Sequence, residues 1–544
     1  MVSPVAMGRA ARTLFRRYWA STLFVLCALG ILGSVSWEAA YVRMITWEGG
    51  GDYWEHSATL HALIENPWHP RHPHLASDAG SPRFGPQFLL VALIARAVGW
   101  DAMQAMTLAA VLNTLLFLCG IRLFFRSYFR HPLAPLYGLL VMFGGWWVGF
   151  HFSNVYSLPM LFLVASFPST TALGLTLLGF ALAVRVLRGQ VVRPRLALVA
   201  VGLWAGAVFI IHPLTAMMSL SGALVLAVSE RKPAWRLRLA FAGAVVIGAA
   251  LAHFWPYFSP WVVIRGGHGE SADWAGETVQ QAAELHVKRK LHAFYRPRAL
   301  LEALGLGAIT LLTLPYFFLR RERWFVALGT LSMLLPFVGN AFVELPLGHR
   351  FVLLAIVYLH IGFVWLLLRL TPGHPGAFRF LRRRVWGVLS ALLITATLLV
   401  FCRHSVQLSL SSLNRPRYRG HHESPLVKNM RSIAAETEPF SVVLATPQIS
   451  WALPTYGPKV LVLFHQDPLV PDEKQREYDV RRFLGPGSDE ERLMILQRYG
   501  VSHVVLQREK GRVVRFLEKN ATLRQLGYGF RVYTLSDNAE SATP

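Results

Sequence analysis

Cysteine is nearly absent from this chain of 544 residues, with three in all. Cys27, Cys119 and Cys402 each sit in an apolar stretch, with neither metal-ligand spacing nor an extracellular pairing pattern, which argues against a disulfide framework and against a thiolate metal site. Charge is also scarce. Only 15% of residues are Asp, Glu, Lys or Arg, against 54% hydrophobic, and the mean hydropathy is +0.40. That balance excludes an ordinary soluble enzyme and points to many membrane spans. Acids are the scarcest of the charged residues, 30 against 54 bases, for a net charge of +24. Nucleic-acid binding would need those bases gathered on one patch, but they are spread in short clusters between apolar segments, so no nucleic-acid partner is expected. An HExxH motif, a glycine-rich phosphate loop and repeat symmetry are lacking as well.

The chain does contain apolar windows long enough for roughly 30 Å of hydrocarbon. They lie near 20–37, 103–125, 133–150, 166–187, 196–212, 213–229, 238–258, 299–319, 324–341, 351–369 and 386–402, giving about eleven transmembrane helices. The first follows Arg9, Arg12, Arg16 and Arg17 and reads as an uncleaved signal anchor. Alternate loops carry Arg122/Arg126/Arg130, Arg185/Arg188/Arg193/Arg195, Arg231/Lys232/Arg236/Arg238, Arg320/Arg321/Arg323 and Arg379/Arg382/Arg383/Arg384. The positive-inside bias therefore predicts a cytoplasmic N-terminus, outer loops at 39–85 and 259–298, and a C-terminus outside. The stretch Phe84–Val98 is too short for a span and contains Arg96, so it reads as an interfacial or re-entrant helix, with Trp54, Trp68 and Trp100 at headgroup depth.

After Phe401 the composition becomes that of a soluble unit. The expected division is a multi-span domain over 1–404 and an extracytoplasmic α/β domain over 405–544. Strand-like runs occur at Ser441–Ala445, Lys459–Phe464, His503–Leu506 and Arg531–Leu535. The pattern from Asp489 to Tyr499 is helical, with acids in its first turn and Gly500 placed to cap its end.

Candidate site residues cluster in the outer loops. Asp52 and Glu55 can accept a proton from an incoming hydroxyl or hold a divalent cation, and on a helix Asp52 and His56 share a face. Equally, Asp52 suits an N-cap with Glu55 three residues on. His56, His61, His69, His72 and His74 are a possible metal-ligating set, with Asp52, His56 and His61 as the candidate ligands, or else an ordered polar loop held extended by its prolines. His212, beside Pro213 where two spans meet, is either a substrate contact or the partner of a freed carbonyl. His349 and Arg350 sit at the mouth of a span on the outer side, where a guanidinium suits phosphate or snorkels to headgroups. Lys288, in the cluster Lys288-Arg289-Lys290 of the 259–298 loop, belongs either to a lid over an anionic substrate or to an amphipathic helix on anionic lipid.

The motif Asp52-Tyr53-Trp54-Glu55-His56, the short helix after it, about eleven spans, Arg350 and the stretch Glu491-Arg492 to Val504-Val505 together resemble the GT-C superfamily of integral-membrane glycosyltransferases. This superfamily includes protein O-mannosyltransferases, the lipid A aminoarabinose transferase and the oligosaccharyltransferase catalytic subunit. The Trp-Trp-Asp signature of oligosaccharyltransferases is absent, since Val148 follows Trp146-Trp147. The resemblance implies an enzyme of a bacterial cytoplasmic membrane that moves a hexosyl or pentosyl group from a polyprenyl-phosphate donor to an envelope glycan, lipid or protein at the outer face. Asp52 would then be the base and Arg350 a phosphate ligand, with a divalent metal as an optional cofactor. The alternatives are a transporter or flippase for a lipid-linked sugar, and a non-catalytic membrane assembly protein.

Overall fold

A computed structural model of the chain describes residues 4–41, 52–146, 154–266, 295–343, 345, 347–370, 425–463, 467–507, 511–525 and 529–535. Its residues pack as two units: Met1–Glu38 with Ala110–Ala252 and Leu291–Asn414, and Ala39–Ala109 with His253–Lys290 and Arg415–Pro544.

The first unit is helical. Among the described residues of the chain, six helices are long and apolar enough to cross a membrane: Trp19–Ala40, Ala102–Phe129, Pro168–Leu187, Pro194–Ile211, Trp235–Phe254 and Gly348–Arg369. Four other expected windows form shorter elements. Ala134–Gly144, Pro213–Ser229 and Trp324–Gly339 are single helices of under 18 residues, while 299–319 breaks into Pro297–Leu304, Gly307–Leu312 and Leu314–Phe318. The first break has a local cause: Gly305 takes φ +50°, off the helical path, and the next amide, Leu306 N, bonds to Gly145 O at 2.8 Å. The window 386–402 lies outside the described residues.

Helix pairs in this unit meet through small residues, as expected where lipid offers no hydrophobic drive. A Cβ on Gly206 would come within 2.8 Å of Gly248 O, so the Pro194–Ile211 and Trp235–Leu251 helices touch backbone to backbone. Phe180, Phe325 and Tyr358 pack edge to face inside the bundle, and Tyr358 donates to Met218 O at 2.7 Å. The outward faces stay apolar: Leu196, Val199 and Leu203 form an exposed stripe on one helix and Leu239, Val246, Ile247 and Leu251 a second on another. Such stripes suit lipid and would be a liability in water. The interhelical arginines also satisfy orphaned helix ends. Arg188 donates to Ser127 O and pairs with Glu230, both at 2.7 Å, and Arg321 donates to Val228 O at 2.7 Å.

The second unit is built on a five-stranded sheet in the order β2-β1-β3-β5-β4. Its strands are β1 (Val442–Ala445), β2 (Lys459–Val460), β3 (Val501–Gln507), β4 (Ala521–Gln525) and β5 (Phe530–Leu535). β1 runs parallel to β2 and β3, and β5 runs antiparallel to β3 and β4. Both faces are buried, as the alternation along β1 requires: Val443 and Ala445 face one core and Leu444 the other. The Asp489–Arg498 helix opens on a Ser488–Glu491 capping box, and Gly500 behind it takes φ +58°.

The loop of prolines and histidines joins this sheet. Leu75 bridges Val460 in parallel, and Val460 N donates to His74 O at 2.8 Å, so residues 74–75 lie along the β2 edge. Proline, which holds the chain extended and gives up a donor, is tolerated at such an edge. Trp54 corrects one expectation. It is not at a membrane surface but fully buried with Met103, Val427, Met430 and Ile449 in the core on one face of the sheet. Trp68 and Trp100 are exposed. Phe84–Val98 forms the helix Pro86–Val98, which buries Phe88, Val91, Ala92 and Ala95 and exposes Leu90, Ile94 and Val98 along one face. Its Arg96 donates to Ile64 O and Glu65 O at 2.6 and 2.5 Å, capping the end of the Tyr53–Glu65 helix.

Candidate active site

The site within the second unit starts at the head of the Tyr53–Glu65 helix. Asp52 occupies the N-cap position, and its carbonyl accepts from His56 N at 3.1 Å, but its side chain makes no capping hydrogen bond. The carboxylate is thus not committed to the role that the pattern Asp52 to Glu55 suggests. The helix itself is held from below, where Ser57 Oγ and Thr455 Oγ1 share a 2.7 Å hydrogen bond.

Glu55 is almost wholly buried and faces Arg83, whose Nε and Nη2 both lie 3.0 Å from Glu55 Oε2. Arg83 Nη1 reaches Asp467 Oδ2 at 3.2 Å. Asp467 is tied down on every side: Ser81 Oγ donates to its Oδ2 at 3.3 Å, Leu469 N donates to its Oδ1 at 3.0 Å, and its own N–H donates to Glu473 Oε2 at 3.0 Å. His72 Nε2 lies 3.5 Å from Asp467 Oδ2. His72 Nδ1 accepts from His74 N and Leu75 N at 3.2 and 3.0 Å, so in a neutral ring the proton sits on Nε2 and points at Asp467.

This network explains its own electrostatics. Burial works against charge on Arg83, yet Glu55 and Asp467 outweigh it and hold its pKa above the usual value, with Asp52 adding to their field. For Asp467 burial is likewise outweighed, by the His72 hydrogen bond and the Arg83 charge, so its carboxyl is held below the usual range. His72 and His74 are both pushed down by burial, His74 further, with Arg83 next in effect there. Glu473 is pushed up to about 7, first by burial and then by Glu477 and Asp467. One cation thus faces two carboxylates in a nearly dry cluster, beside the helix end that carries Asp52.

The remaining expected site residues lie as follows. His56 is buried against Phe88, with ring centroids 5.3 Å apart. His61 Nε2 lies 3.3 Å from Glu65 Oε1. Among the described residues, no group of three or more His, Cys, Asp or Glu is placed to hold a metal ion, so Asp52, His56 and His61 are not brought together as a ligand set. In the first unit, His212 closes one helix and opens the next, and its Nδ1 accepts from Thr215 N at 3.1 Å. The ring thus serves as an N-cap for the second helix, a role different from the two expected of a histidine beside a proline. His349 and Arg350 form a 3-10 turn leading into the Phe351–Leu370 helix, after Leu347 at φ +54°. Asn340 braces this turn by accepting from Leu345 N and donating to Tyr295 Oη, both at 2.8 Å. Lys288 lies outside the described residues. Arg83 and Asp467 were missed by sequence reasoning. Arg83 is one of three arginines in the 39–85 loop, with Arg43 and Arg71, and nothing local singles it out or joins it to Asp467.

A helical membrane bundle interrupted by loops that pack with a C-terminal sheet is the fold of GT-C glycosyltransferases, and the similar solved structures belong to that class. The aminoarabinose transferase ArnT of Cupriavidus metallidurans, bound to undecaprenyl phosphate, matches 97% of this chain and 99% of its own at 15% identity and TM-score 0.52. The oligosaccharyltransferase of Archaeoglobus fulgidus, tethered to an acceptor peptide containing the NVT sequon, matches 96% of this chain and 75% of its own at 13% identity and TM-score 0.51. The mycobacterial arabinofuranosyltransferase AftD matches 96% of this chain but only 42% of its own, at 13% identity and TM-score 0.54. No family model and no curated relative matches the sequence.

Proposed function

We propose that this protein is a membrane glycosyltransferase that moves a sugar from a polyprenyl-phosphate donor to a cell-envelope glycan, lipid or protein at the outer face of a bacterial cytoplasmic membrane. The observation that carries the reading is Asp52: a carboxylate at a helix end, unspent on capping, beside a buried Glu55–Arg83–Asp467 network. The full-length match to a fold whose solved examples include a transferase bound to undecaprenyl phosphate supports it. The alternation of basic loops supports about eleven spans, a cytoplasmic N-terminus and an outer C-terminal domain.

In this reading Asp52 accepts the proton of the acceptor hydroxyl as the oxygen attacks the anomeric carbon. The glycosidic bond to the carrier breaks, and the polyprenyl phosphate departs with the bonding electron pair. It is already an anion, so a cation can replace a general acid at the leaving oxygen. Arg350, with His349 beside it in a braced turn, has the role of donor-phosphate ligand. Glu55 is a positioning residue: with its Oε2 engaged by Arg83, it fixes the first turn of the helix that Asp52 heads. Lipid analysis of a deletion strain tests the reading. A polyprenyl-phosphate sugar should accumulate and fall again on complementation with the intact gene but not with the Asp52→Asn form; unchanged carrier-linked sugar pools would refute it.

A further inference from the structure

A cavity of about 430 Å³ opens in the second unit and is lined by Ala62, Glu65, Asn66, His69, Arg71, Phe440 and Lys459. Its volume is that of a small-molecule site, and Asp52, Arg83 and Asp467 do not line it. Three features mark it as built for a ligand. Lys459 is 2% exposed, and its ammonium donates to His72 O and Pro73 O at 2.9 and 3.1 Å. Those carbonyls take two of its three hydrogens. Among the described residues no carboxylate lies at ion-pair distance from it, which is costly for a buried cation. Burial pulls its pKa down to about 8, so an anion in the cavity would relieve a charge held there at a cost.

Phe440 is the second feature. It is a bulky residue at φ +65°, a conformation that a phenylalanine adopts only under constraint from its surroundings. The strain sets its ring beside two cations, with Arg71 Cζ 4.9 Å and Lys459 Nζ 5.8 Å from the centroid. The third is the balance of the lining. Glu65, its one carboxylate, lies 3.3 Å from His61 Nε2. Asn66 uses its amide oxygen to accept from His69 N at 3.1 Å, which leaves its amide hydrogens as donors. Positive charge and donors are therefore in excess, beside an apolar wall of Phe440 and Ala62.

We propose that this cavity binds an acidic saccharide, with its carboxylate or phosphate on Arg71 and Lys459 and its ring against Phe440 and Ala62. The claim concerns binding and stands whether or not the protein transfers sugar. Titration calorimetry on the full-length protein in detergent, with D-glucuronate, glucose 1-phosphate and glucose as probes, tests it. At least tenfold tighter binding of one acidic probe than of glucose is expected, and which acid wins tells carboxylate from phosphate. Arg71→Gln, at an exposed position, should weaken that binding at least tenfold with an unchanged unfolding midpoint, and Asn66→Asp, which sets a carboxylate at the rim, should weaken it as well. Equal binding of glucose and both acids, no binding of any of them, or undiminished binding by Arg71→Gln would overturn the proposal.

Discussion

Arg83 Nη1 lies 3.2 Å from Asp467 Oδ2, joining residues 384 positions apart, while the same guanidinium holds Glu55 through Nε and Nη2. The fork spans the first turn of one helix and the loop that follows β2, so the segment after the first apolar helix is fastened to the C-terminal sheet by a charge cluster. Removing water from such a cluster is costly, and the fully occupied hydrogen bonds of Asp467 are what make it sustainable.

Asp467→Ala should therefore destabilise the protein by about 3–5 kcal/mol, because it leaves Arg83 half-paired and His72 without its acceptor. Asp467→Asn, which keeps an acceptor but not the charge, should cost less. Thermal unfolding of the full chain in detergent, followed by tryptophan fluorescence, measures both, and an unmoved midpoint in Asp467→Ala would show that the pair contributes nothing.

Asp52→Asn should leave the unfolding midpoint within about 0.5 kcal/mol of the parent, since no capping bond is lost. Transfer of a labelled sugar should fall by roughly 10²–10⁴-fold, the usual contribution of a general base. A stable, normally expressed variant with full activity would remove Asp52 from the reaction.

Stability should fall as pH drops from about 6.5 towards 5. His72 and His74 are held below the ordinary histidine value in the folded chain, so below 6.5 the unfolded chain takes up protons that the folded one refuses. Asp467 acts in the same sense at lower pH, contributing stability that is lost as pH falls through its depressed folded value. Glu473, pushed up to about 7, opposes them: it keeps its proton in the folded chain, and that contribution is lost as pH rises towards 7. His74→Leu should flatten the acid limb and Glu473→Gln should steepen it. Unfolding midpoints at pH 5, 6 and 7 check both directions, and identical slopes in all three proteins would contradict the assignment.

Trp54→Ala should cost about 3–5 kcal/mol, the range for emptying a large core side chain. Trp68→Ala should fall within about 0.5 kcal/mol, because that ring is 66% exposed. If the two substitutions cost the same, Trp54 is not the core anchor that its burial implies.

Much of the architecture is legible in the order of residues. Long apolar runs specify helices directly, since every backbone group in such a segment is satisfied within it, and the windows at 103–125, 166–187 and 351–369 coincide with Ala102–Phe129, Pro168–Leu187 and Gly348–Arg369. The helix from Asp489 was readable from its acids and Gly500, because helix-end preferences are local, while the Ser488–Glu491 capping box emerged only in the structure. Three of the strand-like runs, around Val443, Val504 and Tyr533, are central strands of the sheet, where β-branched residues are buried on both faces. β4 escaped notice because Ala521–Gln525 is a short edge strand with little apolar pattern.

The site was legible only in part, and the division follows the range of the forces involved. Asp52 and Glu55 stood out through local spacing and position beside an apolar segment, and the histidine-rich loop through composition alone. That Arg83 joins Glu55 to Asp467, that Trp54 is core, and that His74 lies along the edge of β2 depend on contacts across hundreds of residues, for which neither periodicity nor capping leaves a local trace. Hydropathy and loop charge, being short-range and additive, determine from sequence alone that this is a chain of apolar helices with a polar C-terminal segment. Which of its many polar residues share one buried charge cluster is set by how loop and sheet pack together, because a charge in low dielectric is tolerable only where a partner from elsewhere in the chain is brought to meet it.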